Sequence, residues 1–135
     1  MAQYNKPIPE ITLLTEPFWQ GTKEHQLRLQ RCDDCSAFRF IPKEVCPNCP
    51  SMQATWTPVS GAGEVYSYST VYRGTAQAFQ EDVPYIVVMV ELAEGPRIIS
   101  HLIDCAPDQV QIGMPVTVVF EDATLEMSLY KFRPA

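Results

Sequence analysis

Apolar and polar residues alternate with period two over Gln26-Leu27-Arg28-Leu29-Gln30-Arg31. That is the pattern of a half-buried strand. Glu64 to Tyr72 is rich in Val, Tyr, Ser and Thr and also reads as a strand. Tyr85 to Leu92, continuously apolar as far as Val90, predicts a buried strand. Gly95-Pro96 then marks a turn into another strand over Arg97 to Ile103, so the two form a hairpin. Val116 to Phe120 predicts a further strand, and Leu129 to Phe132 a short last one. Gly61-Ala62-Gly63 reads as a break, and Arg73 to Val83 and Pro107 to Pro115 as loops. At the N-terminal end, Pro7 and Pro9 bias residues 1–14 toward an extended arm. Thr15-Glu16-Pro17-Phe18-Trp19 reads as a helix start, with Thr15 as cap and Pro17 tolerated in the first turn, and Gly21 ending or weakening the helix soon after.

This pattern predicts a mostly β chain: a short N-terminal helix, a small cysteine-bearing unit, and five strands suited to an OB-type barrel. The expected units are 1–25 (arm and helix), 26–55 (cysteine-bearing ribbon) and 56–135 (barrel). The 12 prolines fit turns and short strands, and a hydrophobic share of 46% suffices for a core in 135 residues. No apolar run approaches the roughly 20 residues of a membrane-crossing helix. The first six residues lack the apolar stretch of a secretory leader, so the expectation is a cytoplasmic chain.

The formal charge is −6 and the pI about 4.8, which argues against a nucleic-acid binder, since such proteins neutralise phosphates with clustered cations. The charge is unevenly placed. Lys23 to Lys43 holds five basic and three acidic residues, whereas Glu81 to Glu126 holds nine acidic residues and one basic, Arg97. Scattered surface charge explains this; a basic segment facing an anionic ligand is the sharper reading.

The cysteines change the picture most. Cys32, Cys35, Cys46 and Cys49 form Cys-x2-Cys-x10-Cys-x2-Cys, with a predicted strand running into the first pair. Each Cys-x-x-Cys turn presents two sulfurs on one side of a tight loop, and two such turns complete a tetrahedral four-thiolate site that suits Zn2+. With all four ligands from protein, no position is left for substrate, so the role is structural. Two disulfides would need an oxidising compartment, and iron in the same four-sulfur site stays open. Cys105, four residues after His101, is expected to be a buried or loop residue rather than half of a metal pair, and His25 receives no role. No phosphate-binding Gly-rich loop and no nucleophile–histidine signature is visible, so the chain is not expected to be catalytic alone.

Several motifs in one order resemble a known family: Pro17-Phe18-Trp19-x-Gly21, Leu27-x-Leu29-Gln30-Arg31-Cys32-x-x-Cys35, Cys46-Pro47-x-Cys49, Trp56-x-x-Val59-Ser60-Gly61-x-Gly63-x-Val65, Gly113-x-Pro115-Val116 and Phe132-Arg133-Pro134. These are similar to proteins that join a rubredoxin-like zinc ribbon to a C-terminal OB fold, over about residue 15 to the end. The resemblance implies a partner role: a non-catalytic subunit assembled with a thiolase-superfamily enzyme that makes or breaks a C–C bond in an acyl-CoA. The acyl-CoA classes it implies are aromatic, steroid-type or those of a thiolase/HMG-CoA synthase complex, and some members work with hydratases. It further implies a hetero-oligomer, most simply on a dimeric partner core, with the CoA ester bound jointly. Arg31, Arg39, Lys43 and Arg73 are the candidate CoA contacts, and Phe38, Phe40, Trp56 and Tyr72 candidate partner contacts. The family often has Gly after the second and fourth cysteines, where this chain has Ser36 and Pro50. A nucleic-acid-binding zinc-ribbon/OB module and a rubredoxin-like electron carrier are the alternatives.

Overall fold

The computed structural model describes residues 4–74 and 76–135; residues 1–3 of the expected arm, and position 75 in the loop after Arg73, lie outside the described residues. Helix α1 spans Glu16–Lys23. Three strands follow, β1 (Leu27–Cys32), β2 (Phe38–Arg39) and β3 (Ala54–Val59), forming one antiparallel sheet in the order β2-β1-β3. Five more, β4 (Ala62–Val71), β5 (Tyr85–Leu92), β6 (Arg97–Leu102), β7 (Pro115–Asp122) and β8 (Ser128–Pro134), close a barrel in the order β4-β5-β6-β8-β7. The fold is therefore the expected one: mostly β, a short helix, a cysteine-bearing ribbon and a five-stranded barrel.

Local chemistry explains most boundaries. Thr15 stands at the N-cap position but makes no side-chain cap bond; its hydroxyl instead accepts the Thr12 N–H at 2.9 Å. Gly21 does not end α1, which continues to Lys23, because a glycine is needed there for packing: a Cβ would sit 2.8 Å from the Gln26 carbonyl oxygen. The chain turns at His25, whose φ of 57° lets β1 start two residues later. Gly61 has φ +80°, and Gly63 lies inside β4 rather than breaking it, at a close approach of two strands where a Cβ would sit 2.5 Å from the Glu91 carbonyl oxygen. Tyr85–Leu92 alternates half-buried and buried along its length, so its outward residues Val87 and Met89 are not in the core despite being apolar.

Strand β3, which local sequence did not announce, pairs with β1 along its whole length from Leu27↔Val59 to Cys32↔Ala54. It carries the chain from the second cysteine pair back to the barrel. Barrel closure rests on two short seams, β4 with β7 at Ala62 to Glu64, and β6 with β8 in parallel at Leu102↔Phe132.

One apolar core joins all parts. Phe18 and Trp19 of α1, Leu27 and Leu29 of β1, and the barrel's Val65, Val88, Val90, Ile98, Val116 and Phe132 belong to a single buried cluster. At its junction Phe18 meets Tyr130 of β8 edge-on at 5.5 Å, and Phe40, just after β2, meets the same ring at 6.2 Å. Such edge-to-face contacts each add about 0.5–1.5 kcal/mol beyond burial. Among the described residues, no helix is long and apolar enough to cross a membrane.

Candidate metal centre

The end of β1 delivers Cys32 to the first tight turn, and the loop after β2 delivers Cys46 to the second. In the first turn, the Ser36 N–H donates to the Cys32 carbonyl at 3.0 Å, and the Cys32 N–H to Ala37 at 2.8 Å. This needs a left-handed residue, and Ser36 supplies it with φ 67°. In the second turn the N–H groups of Asn48 and Cys49 point at the Cys46 sulfur, both at 3.4 Å. Pro50 cannot take a positive φ, so the second turn leaves by another route, closed by the Cys46 N–H donating to Ser51 at 2.9 Å.

The four sulfurs of Cys32, Cys35, Cys46 and Cys49 all lie within 4.8 Å of one another, with Cys32–Cys49 and Cys35–Cys46 each at 3.6 Å. Four thiolates around one zinc at 2.3 Å stand about 3.8 Å apart in a tetrahedron. The donor set and spacing therefore fit a divalent ion. None of the five cysteines forms a disulfide.

Electrostatics agrees with a ligand set. The N–H groups of Cys35 and Asp34 hold the Cys32 thiol down to about 6, against the opposing pull of burial. The Cys49 and Asn48 N–H groups lower Cys46 in the same way. Cys49 receives the Ser51 N–H, which lowers it, yet the sulfurs of Cys35, Cys32 and Cys46 together with burial push it up to about 12. Four sulfurs this close cannot all ionise by themselves; a dication removes that conflict.

The four candidate CoA contacts separate. Arg31 is exposed on β1, with its guanidinium 5.5 Å above the Phe38 ring and Nε donating to Ser36 at 3.3 Å. Lys43 is exposed in the loop before Cys46, and Arg73 is exposed beyond the end of β4, on the barrel rather than the ribbon. Arg39, contrary to expectation, is 1% exposed and its guanidinium donates to backbone carbonyls, so it does not offer itself to a CoA phosphate. Arg28 is paired with Glu24, which further reduces the basic face expected over Lys23 to Lys43. Of the candidate partner aromatics, Tyr72 is 73% exposed, Trp56 and Phe38 are partly buried, and Phe40 belongs to the core junction.

His101 and Cys105 join no metal-holding group among the described residues. Cys105 has its thiol pushed up by burial and by Asp108. His101 borders a cavity of about 330 Å³ between the N-terminal arm and the barrel, lined also by Trp19, Tyr130 and Lys6, which pairs with Asp82 at 3.3 Å. Burial, then Lys131, holds His101 below its ordinary value. Sequence reading missed this cavity because its walls come from distant segments.

Two family models match the chain: "ChsH2, rubredoxin-like zinc ribbon domain" over residues 19–52 and "ChsH2, C-terminal OB-fold domain" over residues 56–121. A DUF35 domain-containing scaffold protein of Methanocaldococcus jannaschii is 34% identical, covering 86% of this chain and 87% of that one. A probable enoyl-CoA hydratase alpha subunit of Thermomonospora curvata is 37% identical over 96% of this chain, but the chain spans only 40% of that relative's length. The chain likewise spans 39% of a 3-oxo-4,17-pregnadiene-20-carboxyl-CoA hydratase alpha subunit of Mycobacterium tuberculosis, at 35% identity over 93% of this chain. A solved structure described as "Ltp2-ChsH2(DUF35) aldolase" superposes with a TM-score of 0.82 and 36% identity, covering 94% of this chain and 98% of that chain.

Proposed function

Because the chain belongs to the family of ChsH2-type DUF35 proteins, which join a rubredoxin-like zinc ribbon to an OB fold, we propose that it is a zinc-braced accessory subunit of an acyl-CoA enzyme complex. The partner is a thiolase-superfamily enzyme acting at a C–C bond beside the thioester. The observation that carries this reading is the superposition, over nearly the full length of both chains, on the DUF35 chain of the Ltp2–ChsH2 aldolase. The metal braces the ribbon, and the barrel and Tyr72 present surface to the partner. Of the four candidate cations, the exposed Arg31, Lys43 and Arg73 are left to meet the CoA phosphates, jointly with partner groups.

The test is affinity capture of the full chain from its native extract, with mass spectrometry of proteins co-eluting at fixed ratio. A thiolase-superfamily protein at stoichiometric ratio is expected. A hydratase in that place would favour the second reading, in which the chain serves a hydratase, as the names of two relatives suggest. Elution of the chain alone, fully soluble and monomeric, would overturn both.

A further inference from the structure

Arg39 is the largest fully buried side chain of the molecule, among the described residues. Among those residues it has no carboxylate partner, and its Nε has no hydrogen-bond acceptor. A buried guanidinium without an anion is costly, since water no longer compensates the charge. The fold must gain something from it.

The remaining nitrogens show what. Nη1 donates to the Lys43 carbonyl at 3.1 Å; Nη2 donates to Ser51 at 3.1 Å and to Gln53 at 3.3 Å. The same Ser51 carbonyl accepts the N–H of Cys46 at 2.9 Å, and the same Gln53 carbonyl accepts the N–H of Asp33 at 3.0 Å. One planar head therefore touches both cysteine turns through shared acceptors. It also fixes Lys43, whose own N–H donates to buried Gln30 of β1 at 2.8 Å. No regular sheet pairing reaches the second turn, because β2 ends at Arg39 and β3 starts at Ala54.

We propose that Arg39 is the positioning residue of the metal centre, clamping the two cysteine turns at metal-binding separation and supplying buried positive charge against the net negative charge of a tetrathiolate-bound dication. This rests on the reading that the four cysteines hold a metal. A dication bound by four thiolates carries net charge −2, and such a centre is stabilised by donors and cations outside the ligand shell. The planar fork is what the geometry uses, so lysine retains the charge but not the three-carbonyl clamp.

The experiment uses the full chain under reducing, anaerobic conditions. Co2+ is titrated into metal-free native protein, Arg39→Lys and Arg39→Met, following the thiolate-to-cobalt charge-transfer band and the tetrahedral d–d bands. Transfer of zinc from each zinc-loaded form to a colorimetric chelator gives the release rate. Arg39→Met is expected to bind Co2+ at least about 10-fold more weakly and to release zinc correspondingly faster. Arg39→Lys is expected to fall between it and the native chain. Equal losses in both variants would overturn the charge assignment, and native values in both would overturn the proposal. Should Arg39→Met be insoluble, Arg39→Lys decides: native affinity and release rate overturn the clamp, and a measurable loss of both supports it. A native chain that gives no tetrahedral thiolate spectrum overturns the four-cysteine reading itself, a result distinct from unchanged variants of a metal-binding chain.

Discussion

The imidazole Nε2 of His25 meets the carboxylate of Asp122 at 2.7 Å, joining the corner after α1 to the end of β7. The His25 ring also stacks on Phe120 with centroids 5.4 Å apart, and Asp122 accepts the Ser128 hydroxyl at 2.5 Å. Beside them, buried Thr22 accepts the Ser128 N–H at 3.2 Å. These contacts seat the helix on the barrel. The bond from His25, and then that from Ser128, holds Asp122 below the usual carboxylate range. A carboxylate depressed in the fold adds stability above its unfolded value of about 3.9, and that stability is lost as the pH falls through the folded value. Asp122→Asn should therefore lower the thermal midpoint at neutral pH, and the gap from the native chain should close as the pH drops below about 4. A gap that is constant from neutral pH into acid would contradict this; calorimetric melts over that range decide it.

Gly61 turns the chain from the ribbon sheet into the barrel. Its φ of +80° disfavours any L side chain, and a Cβ would lie 2.2 Å from a Val118 methyl of β7. Its carbonyl also accepts the Val118 N–H at 2.9 Å, so the contact cannot simply open. Gly61→Ala should cost about 3 kcal/mol through strain and overpacking together. Urea denaturation measures it. Pairing it with Val118→Ala should recover part of the loss, since the clash is removed while the backbone strain stays.

Ser36 occupies the left-handed position of the first cysteine turn and is exposed. A non-glycine residue there costs about 1–2 kcal/mol, partly offset by the entropy a glycine loses on folding. Ser36→Gly should thus stabilise the metal-loaded chain by up to about 1 kcal/mol, seen as a higher denaturation midpoint. Pro50→Gly in the second turn should bring no such gain, because Pro50 adopts no positive φ for a glycine to relieve.

Removal of the metal should loosen the ribbon and spare most of the barrel. Structural zinc in such small units contributes on the order of 10 kcal/mol of folding free energy, whereas the barrel is closed by its own five strands and supplies most of the shared core. With chelator, amide exchange should accelerate over residues 32–53 far more than in β5 and β6. Because thiolates bind the ion, chelator-driven release should also quicken as the pH falls and protons compete for sulfur. The purified protein should be colourless and metal analysis should give one zinc per chain; a red protein would mean iron. Uniform exchange across the chain would show that the ribbon and barrel unfold as one.

Much of this protein was legible from sequence, because its signals are local. Period-two patterning located β1, and the long apolar run placed β5 to the residue. The cysteine spacing named a four-sulfur site that the fold then closed to within 4.8 Å. What sequence could not supply was set by distant neighbours. β3 has weak patterning of its own and exists because β1 offers it a full-length edge. Gly21 and Gly63, read as stops, lie within elements because close packing there excludes a Cβ. Arg39 shows the division most clearly. Sequence could count it as one more cation on a basic segment, since charge is a property of the residue alone. Only the tertiary structure decided that it is buried between the two cysteine turns, because burial depends on what the rest of the chain places around it.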